Sequence, residues 1–305
     1  MLQNVWKQVS RRVVLALAFF LPAERKVRLE RWLRGREEAR KLGLADAVIV
    51  SYGKAGRTWL RVMLSRYMKL AFGLAGERLI GFDNLHRQDA RVPRIFFTHD
   101  NYLRDYTGAG ESRHDFRGKR VVLLVRNPQD TAVSQYFQWK FRMRPRKKHL
   151  NEYPEHGTEV TAYDFVMRPE SGLPKILRFM NAWAEEAPQL KELLIVRYED
   201  MRADPHATLR RIVHFLGCPD DEAALRGAVE YASVENMRKL EEKQTFWLAG
   251  SRMKAKDKSN PDSFKVRRAK VGGYRDYFDD TQIAEIDGLV GRELAPLYGY
   301  AGERS

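Results

Sequence analysis

The sequence is short of cysteine, of acid and of long apolar runs, and each shortage removes a class of protein. One cysteine, Cys218, stands in 305 residues. No intrachain disulfide can form, so a scaffold held by disulfides is excluded and a reducing compartment is indicated. The longest apolar run, Val13–Leu21, is about half of the ~20 residues needed to cross a bilayer. No small-x-small cleavage site follows it, since Pro22, Glu24, Arg25 and Lys26 come next. His, Cys and carboxylates nowhere cluster at metal-ligand spacing, so no metal is expected. Internal repeats, low-complexity tracts and recognisable nucleic-acid motifs are missing too.

Acid is outnumbered. Forty Asp and Glu face fifty-five Lys and Arg, a net charge of +15. Such a surplus draws polyanions: nucleic acid, an anionic membrane or a multiply charged nucleotide. An apolar fraction of 44% argues for a packed core and against disorder.

Residues 1–45 are read as a basic amphipathic extension, with residues 46–305 as the main domain. Trp6, Phe19, Phe20 and Trp32 alternate there with Arg25, Lys26, Arg28, Arg31, Arg34 and further basic residues. Three readings stand: a helix packed on the domain with a solvated basic face, a segment lying on an anionic membrane, or a signal or anchor.

From residue 46 the pattern becomes regular. The β-branched runs Ala47–Tyr52, Arg94–Thr98, Val121–Val125 and Leu193–Val196 read as buried strands. Helical patterns follow at Thr58–Phe72 and Pro128–Phe141, and further on at Lys175–Ala187 and Pro205–Leu216, where Gly217 ends the last. Alternating strands and helices imply right-handed βαβ units: one α/β domain with a central, mostly parallel sheet flanked by helices. Ligands bind such sheets beyond the carboxyl ends of the strands. Glu241–Lys270 lacks a period, is rich in Lys and Arg, and reads as a basic loop able to close over an anion.

Ser51-Tyr52-Gly53-Lys54-Ala55-Gly56-Arg57-Thr58-Trp59 joins the first strand to the first helix of that pattern. A glycine turn lets backbone N–H groups converge on an anion, and the helix N-terminus adds its positive end. The spacing is not that of a Walker A loop, which needs two glycines five apart and then Lys-Ser/Thr. It resembles instead the 5′-phosphosulfate loop of the sulfotransferases that use 3′-phosphoadenosine-5′-phosphosulfate (PAPS), whose architecture is like that of P-loop kinases. The resemblance implies that Ala55, Gly56, Arg57 and Thr58 hold the 5′-phosphate through backbone amides and the Thr58 hydroxyl. It also implies that Lys54 contacts the oxygen bridging phosphate and sulfur, and that Trp59 stacks on adenine. Ala55 and Arg57 stand where the family usually has Ser and Thr.

Three further stretches match in order. Arg126-Asn127-Pro128-Gln129-Asp130 with Ser134 is similar to the family's 3′-phosphate motif, an Arg fork with a neutral donor two helical turns on. Tyr198, at the end of the fourth strand, inherits contact with the adenine amino group. Arg267-Arg268-Ala269 with Gly272–Phe278 looks like the C-terminal motif, whose basic pair grips the 3′-phosphate. The family's dimer motif overlaps Arg275–Glu285, but Asp279 and Asp280 replace its Thr and Val. The matches run from about residue 47 to 285.

The reaction the resemblance implies is transfer of a sulfuryl group from PAPS to an acceptor hydroxyl or amine, without a metal. His99 matches the family's base, with Phe97 where Lys is common; Lys54 stabilises the leaving phosphate and Ser134 restrains Lys54. His86 and Asp100 are reserve bases. A P-loop kinase shares the strand–loop–helix start but needs Gly-Lys-Ser/Thr and an Asp for Mg²⁺. A nucleic-acid binder would use the charge, yet lacks a motif. The acceptor pocket is expected in Phe82–Arg91, Asn101–Asp115 and Phe137–Tyr163. Their many charges favour a saccharide or lipid-linked glycan over a small phenol or alcohol. The expected location is the cytoplasm, with peripheral contact at the inner face of a membrane through the N-terminal segment.

Overall fold

The computed structural model describes residues 13–243, 245–246 and 270–300. In chain order its elements are α1 (Ala23–Leu44), β1 (Ala47–Ser51), α2 (Arg57–Ala71), β2 (Ile95–Thr98), α3 (Leu103–Thr107), β3 (Arg120–Val125) and α4 (Pro128–Phe137). There follow α5 (Pro145–Leu150), α6 (Ala162–Met167), α7 (Leu173–Glu186), β4 (Glu192–Arg197), α8 (Tyr198–Ala203), α9 (Pro205–Phe215), α10 (Glu222–Tyr231), α11 (Val234–Glu242) and α12 (Asp280–Glu293).

The four strands pair in parallel in the order β2-β1-β3-β4, with Val48 opposite Phe96 and Val121, and Leu123 opposite Ile195. A parallel sheet carries helices on both faces, so its strands are apolar on both sides. The period of two sorts them. Ile49, Val122 and Leu124 pack with α2, α9 and α10, whereas Val48, Val50, Val121, Leu123 and Val125 pack with α7 and α12. Each such side chain contributes ~1.5–3 kcal/mol by burial. Cys218 lies in the first of these cores, where burial pushes its thiol up to about 12 and leaves it inert.

Every strand and helix expected from the sequence is present within a few residues. One expected helix is cut short. Pro128–Phe141 changes after Phe137 to a π-turn, Gln138–Arg142, whose Arg142 meets Glu241 at 3.1 Å.

Helix α1 packs on the rest of the chain. A Cβ at Gly35 would lie 2.2 Å from the Tyr102 carbonyl oxygen, so only glycine lets α1 and α3 come this close. Arg31 pairs with Asp105 at 3.0 Å, and Glu30 binds Arg34 and Arg146 at 2.7 and 2.8 Å. Ahead of α1, Leu17, Phe19 and Phe20 are exposed. No described helix is long and apolar enough to cross a membrane.

Candidate active site

The ends of β1, β2, β3 and β4 open on one cavity of about 1280 Å³, larger than the ~300–1,000 Å³ of an ordinary small-molecule site. Lys54, Gly56, Arg57, Thr58, Trp59, His99, Arg126, Ser134 and Tyr198 all line it.

The loop after β1 turns through two left-handed residues, Lys54 at φ 73° and Gly56 at φ 90°. Lys54 has a Cβ and takes that conformation at a cost of about 1–2 kcal/mol. Gly56 has a second reason to be glycine. A Cβ there would sit 2.6 Å from the Tyr198 ring, so the loop and the end of β4 touch through it. Ala55 turns inward and is buried in the core, leaving its backbone as what it can offer a ligand. Helix α2 begins at Arg57 and points its N-terminal amides into the cavity end.

Trp59 donates from Nε1 to the Ala232 carbonyl at 2.7 Å and meets the Tyr198 ring edge to face, 6.0 Å between centroids. Val234 and Met237 of α11 line the cavity beside them. These apolar and aromatic walls suit a flat base.

Arg126 leaves β3 with its guanidinium 4.5 Å from the Tyr198 ring centroid. It bonds Asp130 at 3.3 Å and the Lys270 carbonyl at 3.2 Å, while its buried Nε has no hydrogen-bond partner among the described residues. Such an orphaned donor at a cavity wall fits an anion better than it fits solvent. Asp130, caught by its N-cap Asn127, also accepts from the backbone N–H of Gly272 and Tyr274, both at 2.9 Å. This clip fixes the start of the C-terminal region against the loop after β3. Arg267, Arg268 and Ala269, expected at the 3′-phosphate, lie outside the described residues, as does most of Glu241–Lys270.

His99 ends β2 with both ring nitrogens engaged. Nδ1 faces the Ser51 carbonyl at 2.7 Å, and a carbonyl only accepts, so Nδ1 carries the proton. Nε2 keeps the lone pair and accepts from the Arg57 guanidinium. The imidazole is thereby held neutral, with its basic nitrogen beside the loop of Lys54. The reserve candidates sit differently. His86 binds the Val92 carbonyl at 2.7 Å and lies off the cavity. Asp100 is buried against Arg104 and Arg113, at 3.3 and 3.1 Å, and burial outweighs both to hold its carboxyl above the usual range. Phe97 turns from the cavity, with Arg61 stacked 3.9 Å from its ring centroid.

A model of the sulfotransferase domain matches residues 111–297, well over half of the chain. The chain belongs to the PAPS-dependent sulfotransferase family. Cytosolic sulfotransferase 13 of Arabidopsis thaliana is 28% identical over 82% of this chain and 77% of its own length. Flavonol 3-sulfotransferase of Flaveria bidentis is 23% identical over 87% and 88%. The match to cytosolic sulfotransferase 10 of Arabidopsis thaliana, 24% identical, spans 57% of this chain but only half of that relative. Among solved structures, a mouse sulfotransferase complexed with PAP superposes with a TM-score of 0.58 at 20% identity, covering 86% of this chain and 89% of that one. Retinol dehydratase with retinol and PAP gives 0.56 at 17%, covering 86% of each. At such identities the likeness speaks for the α/β fold.

Elsewhere this sulfotransferase differs from its sequence reading. Phe82–Arg91 stays off the cavity, whereas Asn101–Asp115 and Phe137–Tyr163 reach it mostly with polar side chains, Tyr153 being their aromatic contribution. Tyr136 and Trp139 pack with Phe165 in a small core of their own. In their place come Arg31 of α1, Tyr52 of the loop, and Lys175, Arg178 and Phe179 of α7. Phe179 and Tyr52 meet edge to face, 5.4 Å between centroids. Nothing local in the sequence marked Lys175, Arg178 and Phe179, because they reach the cavity from a helix far along the chain. Asp279, which breaks the family's dimer motif, caps α12 by accepting from the Gln282 N–H at 2.9 Å in a capping box.

Proposed function

We propose that this sulfotransferase moves the sulfuryl group of PAPS to an acceptor hydroxyl, or an amine, with His99 as base. The observation that carries this is the convergence, on one cavity, of His99 with its Nε2 towards the Arg57 guanidinium, the Lys54 loop and the Arg126 fork. The backbone of Ala55–Thr58 and the Thr58 hydroxyl would hold the 5′-phosphate, Arg126 and Ser134 the 3′-phosphate, and Trp59 and Tyr198 the adenine. Arg267, Arg268 and Ala269 would complete the 3′-phosphate grip.

The donor supplies a sulfur whose bond to the acceptor oxygen forms as its bond to the phosphate oxygen breaks. The chain does the rest. His99 Nε2 takes the acceptor's proton, and the Ser51 carbonyl keeps the ring in the tautomer that can take it. Lys54 neutralises the charge gathering on the phosphate oxygen, and Ser134 restrains Lys54 until the acceptor arrives. Arg57 occupies the His99 lone pair in the free protein, so the acceptor must displace it. Once displaced, its guanidinium lies beside the reacting group, where it supplies positive charge that Phe97 does not. Lys and Arg neutralise the charge here, so the reading requires no metal.

A saccharide or lipid-linked glycan is the acceptor class this reading favours, against the flavonol and retinol named for two relatives. The reading also takes residues 46–305 as the sulfotransferase domain. Contact between the exposed Leu17, Phe19 and Phe20 and an anionic membrane at the cytoplasmic face is part of it.

The test is a calorimetric titration with PAP and with ATP–Mg²⁺, beside turnover of radiolabelled PAPS by the intact chain and by Lys54→Ala. PAP should bind at least ~10-fold tighter than ATP–Mg²⁺, because only PAP offers a 3′-phosphate to Arg126. Preference for ATP–Mg²⁺, or full turnover by Lys54→Ala, would overturn the assignment.

A further inference from the structure

The cavity holds more positive charge than the donor needs. Among the described residues fourteen Lys and Arg line it against four Asp and Glu. A nucleotide with a 3′-phosphate and a 5′-phosphosulfate brings about four negative charges. Behind the wall, Asp105, Glu241 and Asp276 answer Arg31, Arg142 and Lys270. A positive surplus is left.

The excess is not at the nucleotide end. It collects at the opposite end, around Tyr52, Tyr153 and Phe179, and comes from segments far apart in the chain. The exposed Arg178 side chain donates to the Pro169 carbonyl at 2.6 Å and, among the described residues, has no carboxylate within ion-pair reach. Arg144, exposed at the mouth, likewise has none among the described residues. Lys175 reaches the Asn151 carbonyl at 3.2 Å and Glu152 at 3.4 Å, but that carboxylate is mostly in solvent. Burial holds the Lys175 ammonium below its usual range against the pull of Glu152, and the neighbouring Arg31 and Arg178 add to the lowering.

We infer that the acceptor is itself an anion: a polyhydroxyl compound bearing a carboxylate, phosphate or sulfate, seated against Arg178, Lys175 and Arg144 with its free hydroxyl towards His99. Tyr52 and Phe179 give the sugar-sized body an aromatic wall, and the cations bind the acid group. The inference rests on the sulfuryl-transfer reading above and adds the acceptor's charge to it. A neutral phenol would offer those cations no acid group and would forgo the charge-assisted bonds that an anion makes with them. An acidic saccharide in solution and an anionic glycolipid headgroup present the same chemistry.

Matched acceptors decide it, with the full-length protein, radiolabelled donor and PAP titrations in parallel. Methyl glucuronide should exceed methyl glucoside in kcat/KM by at least ~10-fold at low salt, the advantage shrinking as salt screens it. Arg178→Glu should reverse the order of the pair while PAP affinity stays unchanged, a reversal that misfolding cannot produce. Phosphatidylinositol in vesicles against glycerophosphoinositol tells the two sources apart: a preference for vesicles assigns a lipid headgroup, and parity a soluble acid. Equal or better use of the glucoside and of neutral phenols, or loss of both sugars alike in Arg178→Glu, overturns the inference and leaves the donor reading standing. Failure of the unaltered protein to bind PAP overturns the donor reading, and this inference with it.

Discussion

The two ends of the cavity are made by different means. At the nucleotide end the contacts come from strand ends and helix starts: the turn of Lys54 and Gly56, the first amides of α2, Arg126 leaving β3 and Tyr198 leaving β4. Backbone fixes them, and the Asp130 clip to Gly272 and Tyr274 adds a third strut. At the acceptor end the contacts are the tips of long side chains, Arg31 from α1, Arg144 beside α5, Lys175 and Arg178 from α7. The first end cannot change without moving the sheet. The second can be rewritten one side chain at a time, so under the proposed function donor choice would be built into the fold and acceptor choice carried on it.

His99 stands where the two ends meet, and its removal gives the sharpest separation. His99→Ala should lower kcat by at least ~100-fold, the usual share of a general base, while PAP affinity stays as it was. Calorimetry with PAP beside single-turnover rates checks both halves. A joint loss of binding and rate would show that His99 supports the nucleotide end and that the division is misplaced.

Gly56→Ala attacks the backbone-built end. The new Cβ meets the Tyr198 ring and sits at a positive φ, each of which costs about 1–3 kcal/mol. Thermal unfolding should shift down and PAP binding should weaken at least ~10-fold together. Arg178→Ala should leave both untouched. If the two variants behave alike, the ends are not independent.

The same division explains what could be read without a structure. The apolar runs of the sheet and the loop at Tyr52–Trp59 are local patterns, so the strands and the loop side chains that line the cavity were legible. The short helices α5, α6, α10 and α11 were not, although Pro145, Thr161, Asp221 and Ser233 stand at their starts as proline or capping signals. The Asp130 clip joins residues about 140 apart, and α7 delivers Lys175 and Arg178 to a cavity whose loop lies at residue 52. No window of sequence carries such pairings, because only the packing of the helices on the sheet creates them. Arg57 was visible as a departure in the loop. Its bond to His99 depends on the parallel pairing of β1 and β2, which sets the two strand ends side by side.

The expected effect that touches neither binding nor rate lies under the acceptor end, where α1 sets Glu38 beside Asp100. Burial, then the charge of Asp100, pushes the Glu38 carboxyl up to about 7, with Lys41 pulling the other way. The Thr98 hydroxyl donates to its Oε1 at 3.4 Å, too little to offset the burial. An acid whose folded pKa lies above its unfolded value of 4.5 binds its proton more tightly in the native state. Below that value both states are protonated and the site is neutral to stability. Between pH 4.5 and 7 the unfolded chain gives up its proton first, so stability falls as pH rises, by at most about 3 kcal/mol, and above pH 7 the loss is complete. Glu38→Gln keeps the shape and removes the titration. Its Tm should equal that of the parent near pH 4.5 and exceed it above pH 7. An unchanged difference across that range would mean that α1 reports nothing of the buried acid pair, and that the acceptor end rests on this helix through its Arg31 and Gly35 contacts alone.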